Sequence, residues 1–309
     1  LNTVMNVTYI SLEGHVELEK YRYFYFFMML TVYILIVCSN CTIVSLIVIH
    51  KNLHEPMYIF IAALLINSVI FSTNIYPKLL TDLLAEKQII SYEACLLQIF
   101  VFYSLSGSEF LLLAAMSYDR YVSICKPLQY TILMKKTTVI ILLGLAWIVP
   151  FSHIVIIIAG NKELCSFILK GIFCNNSLNN LFCAGSGEQV IFGLVIMVNV
   201  AVVPVLFIIF TYAKILIVAS TSSGKVKRKA AQTCLPHLLV LINYSCLAIY
   251  DVIIVRLESN FSKTARFIMT LQLIMYNPLC NPIIYGLKMK EIYKHLKKLF
   301  CNSRCICSS

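Results

Sequence analysis

Seven stretches of this 309-residue chain each run for about 20–26 residues almost without a charge. They cover positions 24–49, 57–77, 94–118, 137–161, 189–213, 230–250 and 267–287, and only Glu109 interrupts them with an acid. A helix rises ~1.5 Å per residue and needs about 20 residues to cross a hydrocarbon layer ~30 Å thick. Strands of a membrane barrel would be about 10 residues long and alternate in polarity, which these do not. The pattern predicts an all-α membrane protein, a bundle of seven transmembrane helices.

Composition agrees. Hydrophobic residues make up 60% and charged residues 13%, with a mean hydropathy of +0.85. A soluble domain carries about 25% charged residues. The net charge of +11 would suggest a nucleic-acid patch on a soluble fold. Here the bases divide by side instead: alternate loops hold sixteen Lys and Arg on one face and nine on the other. The positive-inside rule then puts the C-terminus in the cytoplasm and the N-terminus outside, with no nucleic-acid partner. The expected organisation is one seven-helix membrane domain over 1–309: an outer segment 1–23, a bundle 24–287 and a cytoplasmic tail 288–309. No apolar leader precedes Lys20, so the first span is expected to direct insertion. Positions 220–224 read as a small flexible patch. Positions 293–299 alternate apolar and basic residues, as a short helix on the inner leaflet would.

Four of the thirteen cysteines, Cys95, Cys165, Cys174 and Cys183, fall on the outer side, where oxidising conditions favour two disulfides. Spacing leaves all three pairings open. Cysteines at membrane depth serve as small apolar residues. Cys301, Cys305 and Cys307 lie beside the inner leaflet, as palmitoylation sites or as reduced thiols. No histidine cluster accompanies them, so no metal or other cofactor is expected. Three outer glycosylation triplets begin at Asn6, Asn175 and Asn260, and Asn6, on the free tail, is the preferred acceptor.

Polar residues are expensive at membrane depth, so those present are informative. Arg120 follows Glu109 by 11 residues, which at ~100° per residue returns within ~20° of the same helix face. Asn40, Asn67, Asn277 and Asn281 are the available partners for Glu109. The cluster reads either as a packing device or as an ion or proton site that changes between two states. Asp119, Arg120 and Tyr121 close the third span, where the acid can hold the arginine until something displaces it. In the seventh span, Asn281-Pro282-Ile283-Ile284-Tyr285 combines a proline that frees a carbonyl with an asparagine able to satisfy it. Pro150 and Pro204 are further bending points.

Taken together, these residues resemble the rhodopsin-like G-protein-coupled receptors: Asn40, Cys95, Asp119-Arg120-Tyr121, Trp147, Pro204 and the Asn-Pro-x-x-Tyr run in order. The stretches from Leu53 to Tyr58, Met116 to Cys125, Lys229 to His237 and Pro278 to Tyr285 resemble the signatures of odorant receptors, with wording around helices two and six similar to the fish-type branch. The resemblance implies disulfides Cys95–Cys174 and Cys165–Cys183. It also implies a G-protein-coupling set of Asp119, Arg120, Tyr121, Tyr212, Asn281, Pro282 and Tyr285. It gives Asn40, Asn67, Glu109 and Asn277 a place in the polar core. Ser68 stands where the family has a helix-two aspartate, which disfavours sodium near Glu109. Ser245 stands where odorant receptors place a tyrosine, with Tyr244 just before it.

By family position and periodicity, ligand contacts fall to Phe102, Tyr103, Ser106, Met197 and Val200, with ordinary packing as the alternative for each, and Arg256 is able to meet a carboxylate, to snorkel to water or to pair with Glu258. Phe102 replaces the aspartate of amine receptors, and helix seven has no lysine for a retinal Schiff base. The implied partners are a small odorant, a heterotrimeric G protein of the stimulatory, cyclic AMP type, arrestin and membrane lipid. The implied location is the plasma membrane of sensory cilia. The alternatives are a non-olfactory receptor for a small ligand and a transporter. A transporter would show repeated halves and several buried charges, and an intramembrane enzyme would need paired catalytic groups. Neither pattern is present.

Overall fold

The computed structural model describes residues 8–16, 18–159, 164–183, 187–221, 234–249 and 262–306. Six long apolar helices and a seventh, shorter one form the bundle: α1 (Leu18–Ile49), α2 (Pro56–Leu84), α3 (Tyr92–Cys125), α4 (Lys136–Ile158), α5 (Gly187–Met197 continuing through Val198–Val202 to Val203–Thr221), α6 (Cys234–Ile249) and α7 (Lys263–Lys288). A further helix, α8 (Lys290–Ile306), follows after Met289.

Several helices outrun the apolar stretches that announce them. α2 continues past Pro77 because its last turns carry the ion pair Lys78–Asp82, one turn apart. α3 begins at a Ser91 cap, whose hydroxyl accepts from the Ala94 N–H at 3.2 Å. It ends beyond the charged Asp119 and Arg120. α7 starts four residues early, where the Ser262 hydroxyl caps the Ala265 N–H at 3.2 Å. α5 reaches Thr221, so the expected flexible patch begins inside a helix, and 222–224 lie outside the described residues.

In α5, Val198–Val202 form a π turn immediately before Pro204. Proline lacks an N–H, and its ring collides with the carbonyl four residues back, here Val200. Widening that turn relieves the collision without breaking the helix.

α3 is the central post, packed against α2, α4 and α5. α4 and α5 leave Ile140, Ile148, Leu206 and Leu216 exposed, as lipid-facing surfaces require. One buried cluster fills the half holding Tyr212 and Tyr285, and a second fills the half holding Phe102 and Phe267. At the end beyond Tyr285, the His50 and His295 rings lie 3.9 Å apart and seat α8 on α1, with Ile292 fully buried beneath.

A three-stranded sheet covers the opposite end. β1 (Tyr9–Leu12) lies between β2 (Ile89–Ser91), antiparallel, and β3 (Ile168–Leu169), parallel. Alternation turns Ile10 and Leu12 inward to 0% and 2% exposure. Gly14 then crosses against the Gly171 backbone, where any Cβ would collide.

Candidate functional site

The polar core is a carboxylate gripped by α7. Asn277 Nδ2 donates to both oxygens of Glu109 at 2.8 Å, and Asn281 Nδ2 donates to Oε1 at 3.1 Å. Asn281 Nδ2 also donates to Ser68 Oγ at 3.1 Å, drawing α2 into the same knot. Glu109 is 3% exposed and Asn281 is fully buried. Two of the four asparagines bond elsewhere. Asn40 Nδ2 donates to the Ile36 and Pro278 carbonyls at 2.8 and 3.0 Å. The latter is a carbonyl one turn before Pro282, which has no N–H to claim it. Asn67 Nδ2 donates to the Leu105 carbonyl at 3.0 Å, and Asn67 Oδ1 accepts from Trp147 Nε1 at 3.4 Å. Both tie helices together without reaching Glu109.

Both Glu109 oxygens accept from amide donors and Ser68 Oγ accepts from Asn281, so these residues form an internal clasp across α2, α3 and α7. Among the described residues no group of three His, Cys, Asp or Glu side chains converges on a metal position.

Near the Cys125 end of α3, Arg120 forms an ion pair with Asp119, its Nε donating to Oδ2 at 2.9 Å. A partner invisible in the sequence pattern joins them: the Tyr130 hydroxyl donates to Asp119 Oδ1 at 2.8 Å. Burial and the adjacent Asp119 carboxylate push the Tyr130 phenol up, which keeps it a donor. Tyr121 is half-buried, with Lys126 Nζ 5.9 Å from its ring centre. Nearby, Tyr212 is 4% exposed and Tyr285 fully buried. The Tyr285 hydroxyl lies 3.4 Å from His237 Nδ1, a link from α7 to α6.

The opposite end holds the expected ligand contacts. Phe102 is buried among Phe71, Tyr103 and Phe173, with ring centres 5.0, 4.9 and 5.2 Å away. Phe173 precedes Cys174, which is bonded to Cys95 and whose N–H donates to Gln98 Oε1 at 2.8 Å. The loop thus presses an aromatic plug onto α3. Cys165 pairs with Cys183 within that loop. Ser106 Oγ donates along its own helix to the Phe102 carbonyl at 2.7 Å. Val200 is buried against Gly107, whereas Met197 is 41% exposed, so the two do not share a surroundings. Arg256 and Asn6 lie outside the described residues. The Tyr244 hydroxyl donates to the Ser106 carbonyl at 2.8 Å, and the Tyr244 ring packs 4.8 Å from Phe110. The tyrosine beside Ser245 therefore turns inward to α3.

The fold is shared with squid rhodopsin, at a TM-score of 0.72 and 17% identity, covering 89% of this chain and 79% of that one. A family-wide sequence description, "Olfactory receptor", matches residues 29–303. This chain belongs to the olfactory receptor family. It is 32% identical to olfactory receptor 11A1 of Homo sapiens over 302 residues, covering 96% of this chain and 94% of the relative. It is 33% identical to olfactory receptor 4E1 of Homo sapiens over 312 residues, covering 97% and 95%. Olfactory receptor 4B13 of Mus musculus is 32% identical over 293 residues, covering 93% and 94%. As a member of the olfactory receptor family the chain is a multi-pass membrane receptor and not an enzyme. The two bridges described above are the pair that the family resemblance implies.

Proposed function

We propose that the chain binds a small odorant in the outer half of the bundle and passes that event to a stimulatory heterotrimeric G protein. The observation that carries this reading is the Glu109 clasp, which joins α3 to α7 at membrane depth between the aromatic cluster and the Arg120 end. A ligand pressing on Phe102, Tyr103 or Ser106 acts on the helix that also carries Glu109 and Arg120. The Ser106 carbonyl is bonded to Tyr244, so the same displacement reaches α6. A ligand favouring the state with α6 swung outward from Pro236 shifts the population toward it and releases Arg120 from Asp119. Tyr212, Tyr285 and Asn281-Pro282 line the route, and the mostly apolar cluster suits an odorant with few polar groups.

The N-terminus faces outward and the basic C-terminal side faces the cytoplasm, where it meets anionic lipid, the G protein and arrestin. Sensory cilia are the site of action, in keeping with the family. Arg120→Ala should abolish odorant-dependent cyclic AMP while surface staining stays normal. A response that persists in that variant would remove the switch role from Arg120.

A further inference from the structure

Cys95, Gln98 and Phe102 fall on successive turns of one face of α3. Cys95 carries the bridge to Cys174, and Phe102 meets the Phe173 plug. Gln98, on the turn between them, is 4% exposed, and both polar atoms of its side chain have partners. Its Oε1 accepts from the Cys174 N–H at 2.8 Å, and its Nε2 donates to the Asn74 carbonyl of α2 at 3.1 Å. Asn74 Nδ2 in turn donates to the Gln98 carbonyl at 3.0 Å. A backbone N–H only donates and a carbonyl only accepts, so these partners permit one orientation of the Gln98 amide.

The bridge and the amide constrain different things. The disulfide sets how far Cys174 lies from Cys95, 5.4 Å between Cα atoms, and leaves the peptide plane before Cys174 free to turn. That plane is the joint between Phe173 and Cys174. Swinging the Phe173 ring away from Phe102 turns the plane and carries the Cys174 N–H off Gln98 Oε1. Phe173 is 2% exposed, so a molecule approaching Phe102 from the end covered by the sheet has to cause that swing. The bond is intact with the plug down and broken with it raised, which leaves a buried amide oxygen without its donor.

We propose that Gln98 is a positioning residue for ligand entry. Braced by Asn74, it holds the Phe173–Cys174 peptide so that the plug stays down, and it sets how fast small molecules exchange at the Phe102 cluster. This rests on the reading that odorants bind at that cluster. The latch acts on the closed plug whether or not a ligand lies beneath it, so losing it raises entry and exit rates together. Affinity then shifts less than either rate.

The test uses the full chain in lipid nanodiscs carrying Ser106→Cys, one turn beyond Phe102, as a thiol reporter beneath the plug. The probe is a water-soluble methanethiosulfonate bearing a trimethylammonium group, and labelling at position 106 is timed by peptide mass spectrometry. Met resembles Gln in length and volume but lacks the acceptor. Gln98→Met should therefore label about two- to tenfold faster, the factor expected for one lost hydrogen bond. Gln98→Glu keeps an acceptor for the Cys174 N–H and should restore most of the slow rate. A packing role alone predicts the parental rate for Gln98→Met, and that result overturns the proposal. Native Cys125 and Cys280 are half-buried elsewhere in the bundle and should label at unchanged rates in every variant. Should Gln98→Met fail to fold, Asn74→Ala removes the brace alone and should speed labelling at position 106 by a smaller factor. An unchanged rate there, or an equal rise at Cys125 and Cys280, also overturns the proposal. The readout needs neither odorant nor G protein, so its failure is separable from that of the binding reading, which an odorant screen tests.

Discussion

Gly107 is where α3 comes closest to its neighbours, and adding one methyl group there has a calculable effect. A Cβ at this position would lie 2.5 Å from Val200 Cγ1 and 2.9 Å from Pro150 Cβ. Carbon atoms prefer about 3.5–4.0 Å, so at least one neighbour must retreat by roughly 1 Å. The Pro150 ring is rigid, and Val200 belongs to the π turn already widened for Pro204. Overpacking of this kind costs about 1–3 kcal/mol, against a gain of up to about 1 kcal/mol from replacing glycine within a helix. Gly107→Ala should therefore lower stability by about 1–2 kcal/mol, seen as a Tm drop of a few degrees in the purified receptor. Val200→Ala deletes the nearer obstructing methyl while the Pro150 contact stays, so Gly107→Ala should cost less in the Val200→Ala background than alone, a coupling that a double-mutant cycle isolates. An unchanged or raised Tm in Gly107→Ala, or no coupling, would refute the close-packing argument.

Tyr130→Phe removes a hydrogen bond to Asp119 worth about 0.5–1.5 kcal/mol, so ligand-free cyclic AMP should rise two- to tenfold; a silent baseline would count against the restraint. The two disulfides close loops with separations of 79 and 18 residues, so in the chain-entropy account Cys174→Ser should cost about 4.5 kcal/mol and Cys165→Ser about 3 kcal/mol. Equal losses in thermal unfolding would contradict that order. His15 is held neutral with its pKa depressed to about 4, so the stability it lends is complete above the unfolded value of 6.5 and drains as the pH falls toward 4. Amide exchange at Tyr9–Leu12 should accelerate over that window, and a pH-independent rate would exclude the coupling.

Hydropathy made the seven helices legible because lipid forces each span to be apolar on nearly every face. It could not mark their ends, since an intrahelical hydrogen bond forms equally well under Lys78 or Asp119. The Glu109 clasp was legible in part: Asn277 and Asn281 share a helix one turn apart, but Asn40 and Asn67 found carbonyls that no side-chain pattern reveals. Tyr130 escaped notice because it lies past a proline, in a single turn at Tyr130–Leu133 that only the fold brings back to Asp119. The sheet was hidden for a related reason. Tyr9–Leu12 is too short to signal a strand, and its partners are about 80 and 160 residues away.

That last separation has a consequence for biogenesis. β1 lies between its two partners, so the strand cannot be completed until Leu169 has left the ribosome, roughly 157 residues after Leu12. At about 5–20 residues per second, the tail waits some 8–30 s while four helices enter the membrane. During that interval Ile10 and Leu12 present an unpaired apolar edge, open to chaperones or to wrong partners. Completion of the three-stranded sheet is thus a late checkpoint in synthesis, and variants that weaken it should be held back before they ever meet an odorant.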